Sequence, residues 1–527
     1  MISWWPWPRL PRRGVLPSTL PSLSSLVTGR VIAWVWLSVC FAGAAGWLVA
    51  HGSRGVLATG LLPPPDVRGV GLLAAGVAAA GFLGCRWLSP STIQAKSLLL
   101  LGALSLAMLG MAHAGLRASV AVWLLPMAAP AMLATLLLNP AAAVAMAMVT
   151  ALLVGLMVGQ SLGVSLVLWL GGVAGAVTVR GARRRGHLLR AGLWSGVVQG
   201  AAIAALCVME QRGLREALWT GLVGGTLSGA VSFAVTITLL PVLEGLFGLL
   251  TDITLLELSD LNHPLLKELS LKAPGTYHHS LIVATLAEAG CEAIDANGLL
   301  ARVGCYFHDI GKLPKAEYFV ENQPPGRSRH DTLAPSMSAL IIINHVKEGV
   351  ALARRYRLNQ AIIDFIPGHH GTGLIYYFYR RALEQVEDER LLKEERFRYP
   401  GPRPCRRETA VAMLADSVEA ACRALPSRTP AKLLGVTRRI VNNKFIDGQL
   451  DECDLTLRDL ERIAVAFVRV LTGIYHARVP YPVPPGEDVE DSELEAGADT
   501  ESPKVPGAAG RSPAAGSTAV GGAGRPD

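Results

Sequence analysis

Leu299-Leu300-Ala301-Arg302-Val303-Gly304-Cys305-Tyr306-Phe307-His308-Asp309-Ile310-Gly311-Lys312 is an apolar helical stretch that runs into a His-Asp pair and then a glycine. The glycine reads as an ordinary helix stop. Neighbouring side chains on a helix diverge by roughly 100°, so His308 and Asp309 can both reach a metal placed beside the helix end. The two oxygens of Asp309 can bridge two metals. A His-Asp dipeptide is common by chance, so its weight depends on what surrounds it.

Outward from this pair the chain is rich in metal-ligand side chains. Eight of its twelve histidines (263, 278, 279, 308, 330, 345, 369 and 370) fall within about a hundred residues. The pair His278-His279 opens one helical segment, His345 lies inside Ser336–Tyr356, His369-His370 follows Gln360–Ile366, and Asp416 sits in the apolar run Val411-Ala412-Met413-Leu414-Ala415-Asp416 within Thr409–Arg423. An unpaired carboxylate in such a run is costly, and its mid-helix position excludes a cap; a metal explains it. Imidazole and carboxylate together suit first-row divalent transition ions such as iron or manganese. A pair of such ions can activate water for an in-line phosphoryl displacement with no protein nucleophile. The soluble part has no GxSxG, Walker A or Gly-rich dinucleotide motif. His330-Asp331 lies in a polar loop and reads as a loop feature near the site, not as a metal ligand; His263 precedes Pro264 in the linker and reads as structural. Lys312, just after the pair, is a candidate phosphate contact, with a surface cation as the alternative.

Of the 527 residues, 51% are hydrophobic and 17% charged, against about 25% charged in ordinary soluble domains. Between Val31 and Val179 the charged residues are Arg54, Asp66, Arg68, Arg86, Lys96 and Arg117. The net charge of +8 therefore belongs to the flanks, and polymeric nucleic acid is not an expected partner. Apolar segments at 31–50, 70–88, 98–116, 119–137, 140–158, 162–179, 191–209 and 217–243 approach the roughly 20 residues that span a bilayer as helix. They lack polar faces at helical spacing. With the N-terminus in the cytoplasm, eleven basic residues (Arg9, Arg12, Arg13, Arg30, Arg86, Lys96, Arg180, Arg183, Arg184, Arg185, Arg190) face inward and five (Arg54, Arg68, Arg117, Arg212, Arg215) outward, as the positive-inside rule requires. About eight spans return the chain to the cytoplasm near Glu244. The eight cysteines include no CxxC pair, so neither a disulfide scaffold nor a zinc ribbon is expected.

The expected architecture is all-α, a polytopic transmembrane bundle followed by a cytoplasmic all-α domain. The divisions are a basic leader over 1–30, a membrane region over 31–243, a linker over 244–272, a helical hydrolase domain over 273–481 and a Gly/Ala/Ser/Pro-rich tail over 482–527 that cannot bury a core. Glu384 to Arg398 is a charge-dense excursion, and Thr456 with Asp459 predicts a capping box for a last helix over 457–476.

Ala273-Pro274-Gly275-Thr276-Tyr277-His278-His279-Ser280, His308-Asp309-Ile310-Gly311-Lys312, Ser338-Ala339-Leu340-Ile341-Ile342, His345-Val346-Lys347-Glu348-Gly349, His369-His370-Gly371-Thr372, Phe397-Arg398-Tyr399-Pro400-Gly401-Pro402 and Met413-Leu414-Ala415-Asp416-Ser417-Val418-Glu419-Ala420 together resemble the seven-transmembrane HD hydrolases, PgpH-like cyclic-di-AMP phosphodiesterases of the bacterial cell membrane. The likeness covers roughly 245–480 in detail and 70–243 in hydropathy. It implies hydrolysis of cyclic-di-AMP to pApA by water activated between two iron or manganese ions. One ion would take His279, His308, Asp309 and Asp416; the other would take Asp309, His345, His369 and His370. His279 is preferred to His278 because its 29-residue gap to His308 matches the family. The family has a large extracellular domain after its first span, whereas about 19 residues (51–69) separate the first two spans here. That departure puts in doubt regulation by an outside ligand. Rival readings are hydrolysis of cyclic-di-GMP, a guanosine polyphosphate or a dNTP, a nucleotide-sensing receptor with a degenerate site, and a transporter. The segment after His369-His370 lacks the Gly-Tyr-Pro of the cyclic-di-GMP group. The membrane half has almost none of the ionisable residues that transport sites need.

Overall fold

The computed structural model describes residues 41–50, 71–79, 95–324, 326, 328–386 and 392–475. The basic leader, the first half of the first span, the 51–69 connection and the C-terminal tail lie outside these residues, as does part of the charge-dense excursion. Among the described residues the structure is helical, with one isolated antiparallel bridge between Leu374 and Arg398 and no strand.

The N-terminal half contains α1 (Phe41–Ala50), α2 (71–79), α3 (Ala95–Arg117), α4 (Ala128–Leu137), α5 (Pro140–Met157), α6 (Leu162–Thr178), α7 (Arg185–Met209) and α8 (Leu214–Phe247). Four of them, α3, α5, α7 and α8, are long and apolar enough to cross a membrane, while α1, α4 and α6 are shorter apolar helices. Asn139 and Ser161 cap α5 and α6 by accepting from Ala142 N (2.8 Å) and Val164 N (3.3 Å). The segment expected as one span over 119–137 is broken. A 3-10 turn at Val122–Leu124 is followed by an extended Leu125 (ψ 129°), and α4 begins only after Pro126. The proline pushes the residue before it out of helical conformation.

Glycine decides the packing of α7 on α8. Gly192, Gly196 and Gly200 recur at four-residue spacing and face Gly229, Gly225 and Gly221. A methyl group on any of the latter three would overlap the carbonyl oxygen opposite, so the backbones touch directly. Gln199 and Ser228, both buried, satisfy each other (3.0 Å) and the carbonyls of Trp123 (2.8 Å) and Leu125 (3.1 Å). The outward faces carry exposed Leu193, Trp194, Leu218, Trp219 and Leu222, a surface suited to lipid.

At the junction α8 ends in left-handed Gly248 (φ 65°). The buried carboxylate of Glu244 accepts from the Thr251 backbone (2.9 Å), the Thr251 hydroxyl (2.5 Å) and the Thr254 hydroxyl (2.8 Å), fastening α9 (Asp252–Leu258) to the end of the membrane helix. Arg185 pairs with Glu257 (2.7 Å), and Asn359 donates to the Leu249 carbonyl (3.1 Å).

The C-terminal half holds α10 (Pro264–Lys272), α11 (Pro274–Ala293), α12 (Gly298–Phe307), α13 (Pro335–Arg355), α14 (Gln360–Ile363), α15 (Phe365–Gly368), α16 (Tyr376–Leu383), α17 (Arg407–Arg423), α18 (Pro430–Ile446) and α19 (Leu457–Ile474). Its core gathers Leu269, Val283, Ala287, Phe307, Ile310, Phe365, Ile366, Val411, Leu414, Val418, Ile463 and Phe467. Helix α11 packs on α12, α17 and α19, and so brings together the elements that carry His279, His308, Asp309 and Asp416. His263 caps α10, its Nδ1 accepting from Leu265 N (3.3 Å). Thr456 and Asp459 form the reciprocal capping box of α19.

Candidate metal centre

Five separate elements deliver seven side chains to one place. His279 comes from the second turn of α11, His308 and Asp309 from the C-terminal end of α12, His345 from the middle of α13, His369 and His370 from the turn after α15, and Asp416 from the middle of α17. They form two groups: ligand atoms of Asp309, His345, His369 and His370 lie within 4.8 Å of one another, as do those of His279, His308 and Asp416.

The carboxylate of Asp309 joins the groups. Its Oδ2 is 3.3 Å from His308 Nε2 and 3.7 Å from His279 Nε2, while its Oδ1 is 3.5 Å from His345 Nε2 and 3.7 Å from His369 Nε2. Each oxygen thus faces one group.

The tautomers follow from the backbone. Nδ1 of His308, His345 and His369 sits 2.6, 2.5 and 3.0 Å from the carbonyls of Cys305, Ile342 and Phe365. A carbonyl only accepts, so Nδ1 carries the hydrogen and Nε2 presents its lone pair inward. Those three Nε2 atoms and Asp309 Oδ1 are buried without a hydrogen-bond partner among the described residues. Leaving buried acceptors unpaired costs roughly 1–3 kcal/mol each; three of these converge in the group of His345, His369 and Asp309 Oδ1 and the fourth, His308 Nε2, belongs to the other group, as bound cations would require. Burial lowers the pKa of His345, of His369 (to about 3) and of His370, which keeps these rings neutral and free to bind metal.

His279 differs. Its Nε2 meets Asp416 Oδ1 at 3.0 Å and its Nδ1 meets Glu419 Oε2 at 2.6 Å. Burial pushes its pKa down, but the hydrogen bonds to Asp416 and Glu419 raise it to about 9. In the presence of a metal at Nε2, Glu419 would hold the remaining Nδ1–H, the carboxylate–histidine–metal arrangement that orients a ligand ring and raises its basicity.

Sequence reasoning did not single out Glu419. It lies three residues after Asp416 on the same helix, and i,i+3 side chains share a face; that spacing was the available signal. His278 is exposed while His279 is buried, so the neighbour of the pair points away. Lys312 is not a surface cation: its ammonium is 2.7 Å from Asp309 Oδ2 and 2.7 Å from Glu321 Oε1. Burial would lower its pKa, yet the two carboxylates raise it; burial likewise works to raise the pKa of Asp309, but Lys312 together with His308 and His345 holds it well below the usual carboxylate range. His330 is buried and bonds the Tyr318 carbonyl (2.8 Å) away from the cluster. Tyr399 stacks on His370 (4.1 Å, 17°) and fixes that ring.

Gly311 is not a helix stop with a left-handed backbone. A Cβ there would overlap the carbonyl of His345, so the glycine is what allows α13 to bring His345 against Asp309. The turn that carries His369 and His370 is fastened from outside: Gln449 accepts from Thr372 N (2.9 Å) and Arg398 donates to Thr372 O (2.9 Å).

Residues 67–251 match the family model of a 7TM receptor with intracellular HD hydrolase, and residues 276–421 match the HD domain. The chain is 46% identical over 256 residues to the cyclic-di-AMP phosphodiesterase PgpH of Bacillus subtilis, covering 49% of this chain and 36% of that protein. It is also 46% identical to the PgpH of Listeria monocytogenes, covering 49% and 35%. It thus spans about a third of the length of these curated relatives. A crystal structure of the L. monocytogenes PgpH HD domain in complex with cyclic-di-AMP is similar at 46% identity and TM-score 0.39, covering 42% of this chain and all of that one. With the membrane and HD models matched in order along one chain, this protein is similar to the seven-transmembrane HD hydrolases, the PgpH-like family.

Proposed function

We propose that the protein is a membrane-anchored, metal-dependent phosphodiesterase that hydrolyses cyclic-di-AMP to pApA, with its HD domain on the cytoplasmic side of a bacterial cell membrane. The observation that carries this reading is Asp309, whose two oxygens each face a separate set of ligand atoms. Two relatives at 46% identity bear the name of that activity, and the eleven-to-five distribution of basic residues supports the orientation.

In this reading His279, His308, Asp309 and Asp416 hold one divalent ion, iron or manganese, and Asp309, His345, His369 and His370 the other. Such a pair supplies an acidified water nucleophile and charge stabilisation at phosphorus. The protein's own part is orientation. Backbone carbonyls fix three imidazole tautomers, Glu419 fixes the fourth, and Tyr399 holds His370 by stacking. Lys312 offsets the charge of the shared carboxylate and in this reading also serves as a phosphate contact. The test is a hydrolysis panel on the purified full chain in detergent with Mn²⁺ or Fe²⁺. Release of pApA from cyclic-di-AMP ahead of cyclic-di-GMP, guanosine polyphosphates and dNTPs is expected. A metal-loaded protein that leaves cyclic-di-AMP intact overturns the substrate assignment.

A further inference from the structure

Helix α18 buries a stripe at helical spacing: Leu433, Thr437 and Val441 are all buried. The next position on that stripe is Lys444, while its neighbours Asn443 and Phe445 are exposed. A lysine where the core-facing stripe calls for an apolar residue needs a reason.

Its surroundings supply one. The ammonium lies against the turn that follows the two histidines: a Cβ built on Gly373 would sit 3.5 Å from Lys444 Nζ and 2.9 Å from the His370 carbonyl oxygen. The other cations on this wall are neutralised, Arg398 by Asp447 (2.9 Å) and Glu394 (2.6 Å) and Arg403 by Asp451 (3.3 Å). The Lys444 ammonium has no ion-pair or hydrogen-bond partner among the described residues. The approach to Gly373 places it beside the turn that carries His370; burial lowers its pKa, and the charge that most opposes this is Asp416, ahead of Asp447 on its own segment. A lysine in the last turn also complements the helix dipole, but that role is served best from solvent and leaves the half-burial unexplained.

We propose that Lys444 is a substrate-binding residue whose ammonium contacts a phosphoryl oxygen of the cyclic dinucleotide beside His370. The inference rests on the reading of the site as a cyclic-dinucleotide phosphodiesterase. An anion arriving at this wall meets one cation that no protein carboxylate already holds, and a charge-assisted hydrogen bond forms there with little competition.

The test uses the full chain in detergent, with K444M, which keeps the stem and removes the charge, and K444R, which keeps the charge. The readouts are KM and kcat on cyclic-di-AMP, bound metal per chain and the melting temperature. K444M is expected to raise KM about tenfold or more, with kcat changing less and metal content unchanged, and K444R to recover a large part of the loss. A K444M KM within twofold of wild type overturns the inference, as does a K444M that loses metal or a K444R no better than K444M. Wild-type protein that fails to hydrolyse any cyclic dinucleotide overturns instead the reading on which it rests.

Discussion

Replacing Glu419 isolates what one buried carboxylate does for a metal site it would not itself touch. The side chain is fully buried and its Oε2 lies 2.6 Å from His279 Nδ1. In Glu419→Gln the amide oxygen can still accept from Nδ1–H, so the ring keeps its orientation but loses the adjacent negative charge. In Glu419→Ala the Nδ1–H is left buried and unpaired. Partners of this kind contribute about 10–100-fold in metal affinity. Gln should fall near tenfold and Ala near a hundredfold, about 1.4 and 2.7 kcal/mol. The loss should be confined to one ion, because His345, His369 and His370 take their orientation from other groups. Competition of the metal-loaded chain against a graded chelator series reads this directly: one of the two equivalents should leave earlier and the other should hold its wild-type affinity. Equal weakening of both ions, or no weakening of either in Glu419→Ala, would rule out this role for Glu419.

The same geometry sets a pH dependence. Metal-free His279 has its pKa raised to about 9, so its stabilising contacts are fully present below about 6.5 and are lost as pH rises through about 9. Metal must displace that proton, so the affinity of this ion should rise about tenfold per pH unit between pH 7 and 9, measured by titration in buffered chelator. His279→Ala should lose the ion held with Asp416, and His278→Ala should retain both, by metal analysis of the purified chain. Asp309→Ala should reduce metal content at both positions and abolish hydrolysis; full occupancy by two ions in this variant would remove Asp309 from its bridging role. Gly311→Ala should destabilise the protein by about 1–3 kcal/mol or more and impair metal binding, because the new methyl forces α13 away from Asp309. A melting temperature equal to wild type would contradict that close approach.

Much of this centre could be read from the chain, and the rest could not, for identifiable reasons. His308-Asp309, His345, His369-His370 and Asp416 declared themselves because ionisable side chains in apolar helical runs demand a partner. The helices carrying them were legible as amphipathic segments, and the capping box at Thr456 and Asp459 was legible from its spacing. Glu419 went unread because a carboxylate near a helix end reads as solvated until the packing of α11 on α17 buries it. The pairing of Lys312 with Glu321 depends on a loop whose path no periodicity describes. Gly311 looked like punctuation, and its reason lies in the carbonyl of a helix more than thirty residues away. In the membrane half, hydropathy located the apolar segments but not the break at Leu125-Pro126, since an average over a window cannot register one residue's backbone constraint.

The measurement closest to the central claim is the metal stoichiometry of the purified wild-type chain after reconstitution with Mn²⁺, taken alongside Asp309→Ala. About two equivalents are expected in the wild type and a loss from both positions in the variant. A wild-type chain that binds one equivalent or none would contradict a shared two-ion centre.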